Sequence, residues 1–159
     1  MNVSLLSLGF TIRAMERDDI DAVMRVESAC YDCPWDRRVF LRELENDWSK
    51  VDVVLPEEDS CRTVGHIAYW IVHDELHLLN LAVHPEVRRR GLGRSLMNRL
   101  MLVCEEERLQ YITLEVRAGN EAAIGLYESF SFKRIGLRRR YYADNGDDAV
   151  IMARVLEET

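Results

Sequence analysis

The stretch Leu78-Leu79-Asn80-Leu81-Ala82-Val83-His84-Pro85-Glu86-Val87-Arg88-Arg89-Arg90-Gly91-Leu92-Gly93-Arg94-Ser95-Leu96 decides the fold of this chain. It reads as a strand, then a basic glycine loop, then a helix. Residues 76–83 form an apolar run of strand length. Pro85 ends that run, because proline cannot donate to a sheet ladder. Beyond Gly93, Leu96, Met97, Leu100, Met101 and Cys104 recur at helical spacing, with Asn98, Arg99, Glu105 and Glu106 on the other side.

A helix start leaves backbone N–H groups unpaired and carries a partial positive charge. Gly91 and Gly93 let an anion approach that backbone closely. Arg88, Arg89, Arg90 and Arg94 add positive charge around it. Together they describe a site for a phosphate or pyrophosphate. The loop is no Walker loop, since no Gly-Lys-Ser/Thr follows, and it lacks the third glycine of the dinucleotide fingerprint.

Working outward, Phe10–Met15 reads as a first strand, and Asp18 and Asp19 precede a helix that ends near Cys30. Tyr31-Asp32-Cys33-Pro34-Trp35 is a loop, and Asp36 can cap a second helix to about Asp47. Strands are expected at Lys50–Leu55, at 61–73 with Gly65 as a bulge or close approach, and at Glu75–Val83. Pro56–Ser60 is a solvated turn. After the long helix, Tyr111–Arg117 is a two-faced strand: Ile112, Leu114 and Val116 point one way, Tyr111, Thr113, Glu115 and Arg117 the other. Asn120 can cap a further helix, on which Ala123, Ile124, Tyr127 and Phe130 share a face. Residues 132–142 and 147–156 read as a final hairpin whose turn carries Asn145-Gly146. The order β-α-α-β-β-β-α-β-α-β-β follows. Two late helical crossovers imply parallel pairing in that half.

The loop Arg88-x-x-Gly91-x-Gly93, placed between strand and amphipathic helix, resembles the coenzyme A loop of the GNAT superfamily of acetyltransferases. The segment Leu114-Glu115-Val116-Arg117-Ala118-Gly119-Asn120-Glu121-Ala122-Ala123-Ile124-Gly125-Leu126-Tyr127-Glu128 is similar to that family's RimI-type branch, which acetylates protein N-termini and is named for a ribosomal protein substrate. The resemblance covers residues 10–155. It implies an α/β (α+β) GNAT fold, a mixed sheet of about seven strands flanked by about four helices.

The resemblance also assigns roles. Acetyl-CoA is the co-substrate. Its pyrophosphate would lie on the backbone N–H groups of Arg89, Arg90, Gly91, Leu92, Gly93 and Arg94, its pantetheine arm along Leu81, Ala82 and Val83, and Asn120 would add a contact. A strand N–H would stabilise the oxyanion. Glu115 would be the general base, acting through water. Since an α-amine titrates near ~8 against ~10.4 for lysine, a mildly raised carboxylate pKa would suffice. Read from the residues alone, Glu115 is a carboxylate paired with Arg117 or another arginine. Tyr127 would be the general acid toward the thiolate; read from the residues alone it is a core tyrosine. Tyr31, Trp35 and Tyr141 would bind the acceptor, and Arg138 to Arg140 and Tyr142 lie in the same region. Attack would be direct, in a ternary complex. The acceptor would be a protein or peptide N-terminus, with a ribosomal protein as the expected target; a small amine, a lysine side chain or a non-catalytic coenzyme A sensor are the rival readings. The family commonly has glycine where this chain has Ser131, so a serine must take the helix-end conformation. The 56–60 turn also looks longer than in the family.

Composition sets the bounds. A chain of 159 residues fits a single domain over 1–159. The net charge of −7 argues against direct nucleic-acid binding and suits amine substrates. Met1–Gly9 has no basic residue and lacks a secretory layout, and no apolar run approaches the ~20 residues of a membrane span, so the cytoplasm is expected. Cys30 and Cys33 form C-x-x-C without a second pair, and Cys104, on the apolar side of its helix, makes a poor nucleophile. His66, His73, His77 and His84 match no ligand spacing, so no metal is expected and they read as ordinary strand histidines. A monomer or weak homodimer is expected.

Overall fold

The computed structural model describes residues 3–5, as backbone, and 9–157. The elements run β1 (Val3–Leu5), β2 (Phe10–Ala14), α1 (Ile20–Cys30), α2 (Arg37–Glu45), β3 (Ser49–Pro56), β4 (Gly65–Val72), β5 (Glu75–Val83), α3 (Leu92–Glu106), β6 (Tyr111–Arg117), α4 (Glu121–Ser129), β7 (Lys133–Arg138) and β8 (Ala149–Val155), with 3-10 turns at Arg17–Asp19 and Pro85–Val87. The seven expected strands and four helices are present, and β1 adds an eighth strand at the edge. The sheet order is β1-β2-β3-β4-β5-β6-β8-β7.

Strands β1 to β5 pair antiparallel in sequence order, and β5 pairs parallel with β6 across α3. The second crossover gives no parallel ladder. Strand β8 returns between β6 and β7 and pairs antiparallel with both, so α4 links two strands of like direction that are not neighbours.

Two apolar clusters lie on opposite faces of the sheet. On one, Leu96, Met97 and Leu100 of α3 and Ile124 and Tyr127 of α4 pack on Ile67, Leu76, Leu78, Ile112 and Leu114. On the other, Ile20 and Val23 of α1 and Phe40 of α2 cover Val51, Val53 and Ala68. The periodicity of each helix accounts for the face it buries. Some of the expected boundaries shift. The 61–73 strand begins only at Gly65, because Asp59 accepts from Cys61 N–H at 3.1 Å and holds a turn there. Gly65 makes the expected close approach: a Cβ there would meet Ala82 O at 3.0 Å. The final hairpin is not tight. Residues 139–148 leave the ladder, and Asn145-Gly146 forms a turn inside that longer loop, closed by Gly146 N–H to Tyr142 O at 2.8 Å.

The feature that shapes the site is in β5. Its register against β4 slips between Ala68 and Tyr69, leaving Leu79 as an extra residue. Leu76 and Leu78 pack on the α3 side, whereas Leu79 packs on the α1–α2 side and Asn80 bonds to α1. Beyond this bulge Leu81 and Val83 return to the α3 side. A bulge bends its strand, and here pairing with β6 stops at Leu78. Strands β5 and β6 fork from that point. No helix of the described residues is long and apolar enough to cross a membrane.

Candidate active site

At the fork, β5 has lost β6 as a partner. His84 N–H bonds Val64 O at 2.8 Å, toward β4. Strand alternation then turns the backbone groups of Ala82 toward β4 and those of Leu81 and Val83 into the fork. Their carbonyls are reached from that side: the Tyr31 hydroxyl donates to Leu81 O at 2.5 Å, and Cys30 Sγ and Arg88 Nε both reach Val83 O at 3.2 Å. The N–H groups of Leu81 and Val83 face the same opening with no strand opposite, so an extended amide-bearing arm can pair there.

In line with the fork lies the start of α3. Gly91 is its N-cap, at φ 77°, and supplies no side-chain cap. Arg89 also has positive φ, 64°. The first intrahelical bond is Ser95 N–H to Gly91 O at 3.0 Å, so the N–H groups before it point outward unpaired. Arg89 and Arg90 are exposed and have no carboxylate partner among the described residues. Arg94 instead ties α3 to α4, donating to Ser129 Oγ at 2.9 Å and lying over the Phe130 ring. Leu92 buries its side chain and offers only main chain. Backbone donors, free guanidinium groups and a left-handed glycine fit a pyrophosphate.

Glu115 and Tyr127 approach the fork from opposite faces of the sheet. Glu115 Oε2 lies 2.7 Å from His77 Nε2 on β5, just where the two strands still pair. His77 Nδ1 is 3.0 Å from Thr113 Oγ1, which donates to Glu75 Oε1 at 2.7 Å. The His77 bond holds the Glu115 carboxyl below its ordinary value, against the raising effect of partial burial. This corrects two expectations. The partner of Glu115 is a histidine and not an arginine, and its pKa moves down and not up. Arg117 is engaged elsewhere, with Asp144 Oδ2 at 2.6 Å, Asn145 Oδ1 at 3.1 Å and the Tyr142 ring at 3.9 Å. Read from its spacing alone, His77 is an ordinary strand histidine. The signal was its parity: on β5 it stands beside Thr113 of β6, two residues from Glu115.

The Tyr127 hydroxyl makes no hydrogen bond among the described residues, although the side chain is buried. Burial pushes its pKa up, so it stays a neutral O–H donor. Asn120 caps α4, its Oδ1 accepting from Ala123 N–H at 3.2 Å. Tyr31 is likewise raised by burial. Trp35 is half-buried against Phe40, ring centroids 5.2 Å apart, and its backbone N–H reaches Glu27 Oε1 at 3.1 Å. Tyr141 is exposed and stands edge-on to Tyr142. Tyr142 is half-buried under Arg117, and burial raises its hydroxyl. The nearby Asp144 carboxylate raises the exposed Cys33 thiol. All four cysteines are free thiols. Burial raises Cys30 and pushes Cys104 up to about 12, which leaves neither a ready thiolate. Among the described residues no cluster of three or more His, Cys, Asp or Glu is arranged to hold a metal ion.

The profile of the Acetyltransferase (GNAT) family matches residues 20–132. A [ribosomal protein bS18]-alanine N-acetyltransferase of Escherichia coli K12 is 34% identical over 145 residues, 90% of this chain and 95% of that one. The N-alpha-acetyltransferase RimI of Mycobacterium tuberculosis is 33% identical, over 91% of each chain. The crystal structure of the ribosomal-protein-S18-alanine N-acetyltransferase from Escherichia coli superposes with a TM-score of 0.84 at 32% identity, covering 94% of this chain and 96% of that one.

Proposed function

The chain belongs to the GNAT acetyltransferase family, and from that premise we propose that it transfers the acetyl group of acetyl-CoA to the α-amine of a protein N-terminus, with a ribosomal protein of the bS18 kind as acceptor. The observation that carries the reading is the fork: two inward-facing strand N–H groups, an uncapped basic helix start in line with them, and a carboxylate–histidine pair where the strands part.

Acetyl-CoA supplies a thioester activated for acyl transfer. The N–H groups of Arg89 to Arg94 and the guanidinium groups of Arg89 and Arg90 hold the pyrophosphate. The main chain of Leu81 and Val83 orients the pantetheine arm, whereas that of Ala82, expected to share the contact, is turned to β4; an N–H at the open edge meets the charge that develops on the carbonyl oxygen. Asn120 caps α4 and touches the same molecule. Tyr127, neutral and with a free O–H, gives its proton to the departing thiolate.

The neutral fraction of the acceptor favours an α-amine. A weakened base is of little use against lysine at ~10.4, of which only about 0.1% is neutral at pH 7.4. An α-amine near ~8 is already about 20% neutral there. Glu115, held by His77, therefore draws in the amine and accepts its proton through a water. Tyr31, Trp35 and Tyr141 form the acceptor groove, with Tyr142 at its inner end. The acetyl group passes directly, without a covalent enzyme intermediate and without a metal. The enzyme works in the cytoplasm as a monomer or weak homodimer, and nucleic acid is not its ligand.

Thiol release from acetyl-CoA with an N-terminally free peptide tests the reading. Glu115→Gln lowers kcat/KM by about 100-fold while coenzyme A binding is kept. Unchanged turnover in that variant overturns the assignment.

A further inference from the structure

Past Leu78, where β6 departs, the end of α1 takes over as the second partner of β5. Cys30 and Tyr31 reach Val83 O and Leu81 O. The third tie is made by Glu27, one turn earlier on α1 and only 1% exposed. Asn80 Nδ2 donates to both of its oxygens, at 3.0 and 3.1 Å; Trp35 N–H donates to Oε1 at 3.1 Å; His66 Nε2 stands 2.9 Å from Oε2. Asn80 Nδ2 and Trp35 N–H are donors whatever the tautomer of His66.

These partners come from three places: the acceptor loop, the bulge of β5, and β4. The bulge at Leu79 is what turns Asn80 toward α1; strict alternation would have put it beside Leu76 and Leu78. The network is not saturated either. His66 Nδ1 and Asn80 Oδ1 are buried without a partner among the described residues. A buried polar cluster that leaves atoms orphaned is poor cement for a core, but its geometry is fixed by the one carboxylate at its centre. Glu27 is too buried to touch a substrate, and no step of acetyl transfer above uses it.

We propose that Glu27 is a positioning residue: its buried carboxylate sets the Tyr31–Trp35 loop against the forked half of β5, and acceptor affinity depends on that spacing. The proposal rests on the acetyl-transfer reading for what each wall binds. Tyr31 ties one end of the loop to β5 directly, and Glu27 ties the other end through Trp35 and Asn80. The α3 start makes no bond to Glu27 among the described residues; its loop meets α1 only through Arg88 at Cys30.

The test is Glu27→Gln, which keeps the shape but turns an NH2 toward groups that are themselves donors. Two readouts are taken. Amide exchange at Trp35 N–H speeds up by about 10-fold or more while amides of α3 hold their protection. Acceptor-peptide KM rises by about 10-fold or more, with the KM for acetyl-CoA within about 3-fold of wild type. A merely structural Glu27 gives a lower melting temperature with both KM values unchanged, or both worsened together; each result overturns the proposal. Asn80→Ala is the second variant. It raises acceptor KM by about 3-fold and is non-additive with Glu27→Gln; if Glu27→Gln does not fold, an unchanged acceptor KM in Asn80→Ala overturns the proposal. If the wild-type protein acetylates no peptide, the acetyl-transfer reading fails by itself, and the Trp35 exchange comparison still decides whether Glu27 makes the tie.

Discussion

Ser131 follows α4 with φ at 65°, in the left-handed region that side chains disfavour. Phe132 N–H bonds Tyr127 O at 3.1 Å and Ser131 N–H bonds Glu128 O at 3.0 Å, the paired reverse bonds of a Schellman end with Ser131 at C′. A non-glycine residue there costs about 1–2 kcal/mol, and glycine gives back about 0.5–1 kcal/mol through its freer unfolded state. Ser131 is exposed and its hydroxyl makes no hydrogen bond among the described residues, so nothing else is lost. Ser131→Gly should therefore stabilise the fold by about 0.5–1 kcal/mol. For a domain of this size that is about 1–4 °C in Tm. The assay is urea unfolding followed by circular dichroism, where the midpoint should rise at constant m-value. Ser131→Ala is the control, since alanine removes the hydroxyl but keeps the Cβ; it should stay near wild type. Equal gains in both variants, or no gain in Ser131→Gly, would refute the backbone argument.

His77→Ala removes the bond that lowers Glu115, so the acidic limb of kcat/KM should move to higher pH; an unmoved limb means that Glu115 is not the group titrating. The sign for stability is the same: a lowered carboxyl stabilises the fold above its unfolded pKa and loses that contribution as pH falls through the folded value, so melting temperatures of wild type and Glu115→Gln should converge on acidification. Arg89→Ala with Arg90→Ala should weaken coenzyme A binding by about 10-fold and flatten its salt dependence, with Tm unchanged because neither side chain has a partner to lose; calorimetry at two salt concentrations decides it. Tyr127→Phe should lower kcat by about 10-fold without abolishing it, since a thiol of pKa ~8.5 leaves fairly well unaided, and its unpaired hydroxyl makes the change neutral in a thermal melt.

The parts of the fold that sequence makes legible are those carried by local chemistry. Asn120 caps α4, Gly91 opens α3, and the apolar stripes of α3 and of β6 bury the faces their spacing assigns. What stayed hidden depends on partners distant in the chain. Alternation places Asn80 with Leu76 and Leu78, and only the register slip against β4 reverses it. Asn145-Gly146 makes a turn wherever it occurs, but Arg117 holds the surrounding loop off the ladder by bonding Asp144 and Asn145. His77 and Glu115 are 38 residues apart and meet only through the parallel β5–β6 register. Glu27 looks like any helix-end carboxylate until α1 is laid on the fork.

The most direct test of the central claim is thiol release from acetyl-CoA with two peptides. One carries the free N-terminus of ribosomal protein bS18; the other has the same sequence with a blocked N-terminus and an internal lysine. The larger neutral fraction of an α-amine predicts turnover with the first and essentially none with the second. Turnover confined to the blocked, lysine-bearing peptide would contradict the account.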